Sequence, residues 1–411
     1  MDTKEIKSII IDQKEELDDL FAKEKIITRE VSSEKLLKFL KYPNILAILG
    51  IRRSGKSVLS AILLKNQKYG YINFNDERLA GLQADNLNKI LQAFYELYGK
   101  DLDHILLDEI QNIPGWELFA NRLRRTKKLI ITGSNANLLS GELATHLTGR
   151  YIDFSLYPFS FREFLRLQEQ EVKDPDLYST KQKAEIKSFL ENYLSQGGFP
   201  EVYKFGKPIL KRIYSDIINK DIILRYKIRH KNTFKQLAKY LVSNYAQEIT
   251  FRKLKNIAVI KDVHTIKNYV DYLASAYLII LLERFSFKLK QQMIAPKKIY
   301  CIDNGIANAV SFRFSEDQGR AMENLVAVEL YRQSSYADEG FEIYYWKDHI
   351  GREVDFLIKQ GQKITQLIQV CYNLSEAKIS SSAYNLNDEQ TKTREINLCL
   401  KPAKNSNVII F

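Results

Sequence analysis

Between residues 44 and 132 the apolar positions concentrate in short segments, at 44–49, 69–74, 104–107 and 128–132. Helical patterns separate them. Runs this short, bounded by turn-forming residues, predict parallel strands covered by helices on both faces. Residues 1–43 have amphipathic helical spacing that ends at Pro43. Beyond Pro158 the pattern turns mostly helical and charged, interrupted at Gly197-Gly198-Phe199-Pro200. Leu237, Tyr240 and Leu241 mark one helical face, and Val263, Ile266, Val270 and Leu273 another that Asp262 opens as an N-cap. An apolar run at 278–282 and the segment 284–290 predict a strand pair, giving a winged-helix pattern. A helix at 320–332 follows, carrying Glu323 and Glu329, then strands at 341–346, 353–358 and 364–370.

The predicted fold class is α/β. A core of alternating strands and helices is followed by a helical and winged-helix domain and an α/β C-terminal domain. The expected divisions are a helical segment at 1–43, the core at 44–160, a helical region at 161–234, the winged helix at 235–300 and the last domain at 301–411.

The strongest chemistry lies after the first strand. Gly50-Ile51-Arg52-Arg53-Ser54-Gly55-Lys56-Ser57 fits GxxxxGK[ST], with Val58 continuing as a helix. Glycines let backbone N–H groups turn inward around phosphates, and the helix N-terminus adds positive charge. Lys56 is placed to reach the β- and γ-phosphates and Ser57 to ligand Mg²⁺. The run at 104–107 ends in Asp108 and Glu109. Asp108 is expected to hold Mg²⁺ through water, and Glu109 to polarise the attacking water. After the next strand, Ser134 and Asn135 are candidate γ-phosphate sensors, or a plain turn with an Asn cap. Arg150 is a candidate arginine finger or phosphate sensor, or a surface arginine.

Composition narrows the class. The chain has 62 Lys and Arg against 50 Asp and Glu, a net charge of +12, which favours anionic partners or marks a Lys-rich surface. Cys301, Cys371 and Cys399 are far apart and only five histidines occur, which argues against a disulfide framework or structural zinc. No apolar stretch is long enough for a membrane span, and the first residues lack a signal-peptide pattern, so a cytoplasmic protein is expected.

GIRRSGKS, ILLDEIQNIPGWE, ITGSNANLL, LTGRY, LYPFSFREF and QGGFPEV occur in that order. Together they resemble the AAA-like P-loop ATPases of archaea and bacteria, in which the core precedes a winged helix and a C-terminal domain of unknown function. The resemblance implies ATP with Mg²⁺. It makes Lys56, Ser57, Asp108, Glu109 and Ser134 the nucleotide site, and adds Arg29, near the base or the phosphate tail.

The last domain resembles the PD-(D/E)XK nuclease fold in outline, with Glu323, Asp355 and a strand ending Gln369-Val370-Cys371. In active members two acidic positions and a lysine follow this order; here Gln369 and Cys371 stand at the last two. A degenerate fold used for binding or assembly is expected. The alternative is an active nuclease with a migrated lysine, Lys378 or Lys392. The apolar end at 407–411 comes sooner than the family pattern, so this domain is expected to be clipped.

Basic residues gather at 204–231 and, as Arg252, Lys253, Lys255, Lys261 and Lys267, around the winged helix. Thr265, Lys267 and Asn268 would lie on a helix presented to DNA. The expected partner is DNA, or else a protein or a second copy of the chain, with ATP setting a conformational switch.

Overall fold

A computed structural model describes residues 1–139, 149–170, 179–311, 317–371 and 392–397. The chain divides into two compact units, residues 1–156 and 157–411.

The first unit is a parallel five-stranded sheet. Its strands are β1 (Ile45–Leu49), β2 (Tyr69–Asn73), β3 (His104–Asp108), β4 (Lys128–Gly133) and β5 (Tyr151–Ser155), in the order β2-β3-β4-β1-β5. All five residues of β1 are buried. An unbroken apolar strand in the middle of a parallel sheet is what coverage on both faces requires. Four strands match the predicted runs to within a residue or so. The fifth, β5, was not among the predicted runs. It adds beside β1 in the register Ile45 opposite Tyr151.

Helix Thr3–Lys23 belongs to this unit. Asp2 and Glu5 form a reciprocal capping box at its start, and Ile6, Ile9, Ile10 and Leu17 form its buried stripe. Gln13, also buried, locks it to the end of β2. Its amide donates to the Asn73 carbonyl (3.0 Å) and to Asp76 (2.9 Å), and accepts from the Asn73 N–H (2.8 Å).

The second unit contains a seven-stranded sheet. Its strands are β6 (Gln247–Ile249), β7 (Ile279–Arg284), β8 (Lys297–Cys301), β9 (Glu342–Lys347), β10 (Glu353–Gln360), β11 (Lys363–Cys371) and β12 (Lys392–Asn397), in the order β12-β11-β10-β9-β7-β8-β6. β9, β10 and β11 pair antiparallel, whereas β7 with β9 and β11 with β12 pair parallel. The sheet therefore runs straight across the expected boundary at residue 300. One core does the same: Phe164, Leu190, Leu282, Tyr300, Val326 and Phe356 pack in a single cluster.

The predicted strand pair is corrected in its second half. β7 pairs with β8, and between them lies the helix Leu289–Ile294 rather than a strand. That helix buries none of its residues, and Phe287, Leu289, Met293 and Ile294 are all exposed.

Two sequence motifs prove to be clasps within this unit. Gly197 sits at φ +81°, where an added Cβ would lie 2.2 Å from the Asp303 carboxylate. That carboxylate accepts from the Gly198 N–H (2.6 Å) and caps helix Asn304–Val310 through the Ile306 N–H (2.9 Å). In the LYPFSFREF segment, Ser160 and Glu163 form a capping box, and Arg332 donates to the Pro158 carbonyl (3.0 Å). The segment 407–411 and Lys378 lie outside the described residues.

Candidate active site

The site gathers where β1, β3 and β4 end on one edge of the first sheet. Gly50 leaves β1 at φ +146°, and a Cβ there would sit 2.2 Å from the Leu156 carbonyl oxygen. Only glycine permits that exit. Gly55, at φ +91°, is the N-cap of helix Lys56–Leu63. A glycine turn that runs into a helix N-terminus is a geometry that suits an anion.

Lys56 is buried, and its ammonium donates to the Ile51 carbonyl (3.1 Å). The same nitrogen lies 3.6 Å from Glu109 Oε1. Ser57 Oγ donates to Asp108 Oδ1 (3.0 Å). Arg29 reaches in from before β1, and its Nη1 donates to the Ser54 carbonyl (2.8 Å). It thus braces the outside of the loop. Arg52 is half-buried, Arg53 is exposed in the left-handed region (φ 66°), and Val58 is half-buried on the helix.

The two carboxylates are held differently. Asp108 is fully buried, and its Oδ1 also accepts from the Thr132 hydroxyl. Burial raises its carboxyl to about 6; the Glu109 charge adds to this, and the Thr132 and Ser57 bonds oppose it. Glu109 takes a left-handed backbone (φ 53°), and its N–H donates to Thr132 Oγ1 (2.9 Å). Burial works upward on its carboxyl too, but Lys56, the Gln111 amide and Arg52 outweigh it, so the pKa lies below the ordinary glutamate value. One carboxylate is poised near neutrality and its neighbour is firmly charged.

The residues present fit a Mg²⁺–nucleotide. Besides the loop amides, Lys56 and the Ser57–Asp108 pair, the buried hydroxyl of Ser54 has no hydrogen-bond partner among the described residues, and the buried hydroxyl of Ser134 helps hold the Glu109 carboxyl down. They lie on two of the segments that meet there. A cleft of about 660 Å³, lined by Ser57, Tyr71, Asp12 and Asp76 among others, opens beside the Ser57–Asp108 pair. That is room for a cation which keeps several of its waters.

Not every candidate arrives. Asn135 uses its carbonyl oxygen on the Asn137 N–H (2.7 Å), which is the capping role. Arg150 is exposed and precedes β5, where its backbone carbonyl accepts from the Ile45 N–H (3.0 Å) at the start of β1. In a parallel sheet that is the edge opposite the phosphate loop, so Arg150 does not reach the site of its own chain. Conversely, Thr132 touches both Asp108 and Glu109, yet the sequence reading passed it over. Strand register would have found it. Leu107 pairs with Ile131, which puts the next residue of each strand side by side.

On the basic face, Lys267 and Asn268 are exposed on helix Val263–Ser275. Thr265 is not presented, because its N–H and its hydroxyl both donate to Asp262 Oδ2 (2.9 Å each) as part of the cap. None of the helices among the described residues is long and apolar enough to cross a membrane.

Residues 42–165 match the family model of an AAA domain. Residues 187–317 and 318–406 match two domains of unknown function, DUF8612 and DUF4143. The uncharacterized protein MJ1544 of Methanocaldococcus jannaschii is 37% identical over 86% of this chain and 79% of its own length. An uncharacterized protein of Haemophilus influenzae is 30% identical over 85% of this chain and 88% of its own. Among solved structures, the Walker-type ATPase PABY2304 of Pyrococcus abyssi is similar at a TM-score of 0.46 and 16% identity, over 70% of this chain and 97% of that one. A likeness that loose carries no weight for function. The AAA match and the parallel sheet with its phosphate loop agree on a P-loop NTPase core.

Proposed function

Since this chain carries an AAA domain and belongs to the same family as the Methanocaldococcus jannaschii and Haemophilus influenzae relatives, we propose that it hydrolyses ATP with Mg²⁺ and couples nucleotide state to DNA binding. The observation that carries the catalytic half is the meeting of Lys56, Ser57, Asp108 and Glu109 around one loop.

Mg²⁺ would neutralise charge on the phosphates and fix their geometry. Ser57 would hold it directly and Asp108 through water. Before nucleotide enters, the Lys56 ammonium is shared between the Ile51 carbonyl and Glu109. A phosphate chain in the loop competes for that ammonium. Its shift toward phosphate releases the Glu109 carboxylate, already charged, to orient a water and accept its proton. Ser134 is the better placed of the two sensor candidates, because it stands against Glu109 whereas the Asn135 side-chain carbonyl accepts from the Asn137 N–H. The position of Arg150 permits a finger only across a subunit interface.

The DNA half rests on the second unit. Helix Lys231–Ser243, β6, helices Phe251–Ile257 and Val263–Ser275, then β7 and β8, follow the order of a winged helix. Arg252, Lys253, Lys261, Lys267 and Asn268 are exposed along it. Lysines so placed neutralise phosphates while a helix faces the groove.

The test is ATP hydrolysis with Mg²⁺, with and without duplex DNA, at low and moderate salt, with Lys56→Ala as the blank. Stimulation that fades with salt supports the coupling. Hydrolysis indifferent to DNA overturns it and favours a switch directed at a protein partner.

A further inference from the structure

The fold that the C-terminal elements resemble seats a divalent metal between carboxylates from a helix and from two strands. Glu323 on helix Gln318–Tyr336 and Asp355 on β10 do converge here, joined by Glu353 from the same strand. What sits between them is a lysine from elsewhere in the sheet. Lys298, on β8, is 3% exposed. Its Nζ lies 2.9 Å from Glu323 Oε1 and 3.4 Å from Asp355 Oδ1, and pairs also with the Glu353 carboxylate.

The remaining lone pairs are largely spoken for. Tyr300 OH donates to Glu323 Oε1 (2.7 Å). Asp355 Oδ2 accepts from the Gln369 amide (2.6 Å) and the Val370 N–H (2.8 Å). Lys347 lies 3.4 Å from Glu353 Oε2. Gln369 therefore turns an N–H donor toward the position where a carboxylate would offer a lone pair. With the Lys298 ammonium between them, these carboxylates do not fit the metal.

The charge arithmetic explains why the arrangement is stable. A buried ammonium is costly unless paired, and one buried carboxylate and two half-buried ones around nothing would repel one another. Burial works against the Lys298 ammonium, and Glu323, Asp355 and Glu353 outweigh it, so its pKa is held above the ordinary lysine value.

We propose that Lys298 is the resident cation of this cradle: its ammonium takes the seat of a divalent metal, so the C-terminal elements bind no such metal and cleave no phosphodiester. The cradle serves instead as an ionic clasp that fastens β8 to β10 and to helix Gln318–Tyr336. The reading of the segment as an active nuclease with a displaced lysine makes the opposite demand, a metal beside that lysine.

Mn²⁺ binding by the full chain without nucleotide, followed by electron paramagnetic resonance, separates the two. Wild type and Asp355→Asn are expected to behave alike, with no Mn²⁺ at the cradle. Lys298→Met should gain one bound Mn²⁺ per chain, lost again when Asp355→Asn is added. Two results would overturn the proposal outright: Mn²⁺ binding by wild type that Asp355→Asn removes, or Mg²⁺-dependent DNA cleavage that Asp355→Asn abolishes. A folded Lys298→Met that takes up no Mn²⁺ would overturn it as well. If Lys298→Met does not fold, the comparison of wild type with Asp355→Asn still decides.

Discussion

Replacing Thr132 by valine keeps the volume and removes one hydroxyl from a fully buried site. That hydroxyl donates to Asp108 Oδ1 and accepts from the Glu109 N–H at 2.9 Å. A hydrogen bond to a charged group contributes about 1.5–3 kcal/mol, and a buried donor left unpaired costs about 1–3 kcal/mol. The two losses share one atom and do not simply add, so a destabilisation of about 3 kcal/mol is expected. The site chemistry should move with it. The Thr132 bond is the largest influence holding the Asp108 carboxyl down against burial and Glu109. Losing it should lift that pKa by about one unit, a tenfold handicap for the ionised form. Two assays read these effects: denaturant unfolding for stability, and ATPase rate against pH and Mg²⁺ for the site. The expected pattern is a lower unfolding midpoint, an acid limb displaced upward by about one pH unit and a weaker Mg²⁺ dependence. Thr132→Ser should restore all three. A Thr132→Val protein with wild-type midpoint and unchanged acid limb would refute the assignment of Thr132 as the group that positions both carboxylates.

Lys56→Ala should abolish nucleotide binding, while Glu109→Gln should keep binding and slow hydrolysis by about 10²–10⁴-fold, as fits loss of a general base; equilibrium binding and single-turnover rates distinguish the two. A Glu109→Gln enzyme that hydrolyses at the wild-type rate removes Glu109 from the water-orienting role. Arg29→Ala strips the Ser54 carbonyl of a charged donor and should cost about 1.5–3 kcal/mol, read as weaker ATP affinity with kcat largely kept. The pH dependence has a definite sign. Asp108 rises from 3.8 to about 6 on folding, so the native state takes up a proton before the unfolded chain does. This group therefore adds stability to the nucleotide-free protein as pH falls through 6 toward 3.8, while Mg²⁺-dependent hydrolysis, which needs the carboxylate, declines over the same range. Asp108→Asn should flatten the stability slope, and denaturation midpoints on either side of 6 will check it.

The phosphate loop was legible because its chemistry is contiguous. Strand, glycine turn, lysine and helix start follow within a dozen residues, and local sterics fix their geometry. Arg150 stayed open between a finger and a surface arginine for a related reason: its place in the chain does not reveal which end of a strand it borders. Thr132 was invisible because its partners come from strand register, and Lys298 because its partners come from a helix and from a strand that β8 does not pair with, not from neighbours in sequence. The segment 284–290 reads as a strand because Phe285, Phe287 and Leu289 alternate, whereas Leu289 and Met293 take up the four-residue spacing of the helix Leu289–Ile294. The expected boundary at 300 failed because the pairing of β7 with β9 joins residues some sixty positions apart, and no local signal marks it.

That pairing bears on how the molecule can be taken apart. A fragment ending at residue 300 would cut within β8 and strip β7 of β9, leaving a strand edge with bare N–H and C=O groups. The complementary fragment would carry a bare β9. Such edges recruit other chains, so both pieces should precipitate or swap strands when expressed alone. A cut between residues 156 and 157 severs no ladder among the described residues. An engineered split placed there, at the division between the compact units, is expected to leave both sheets whole.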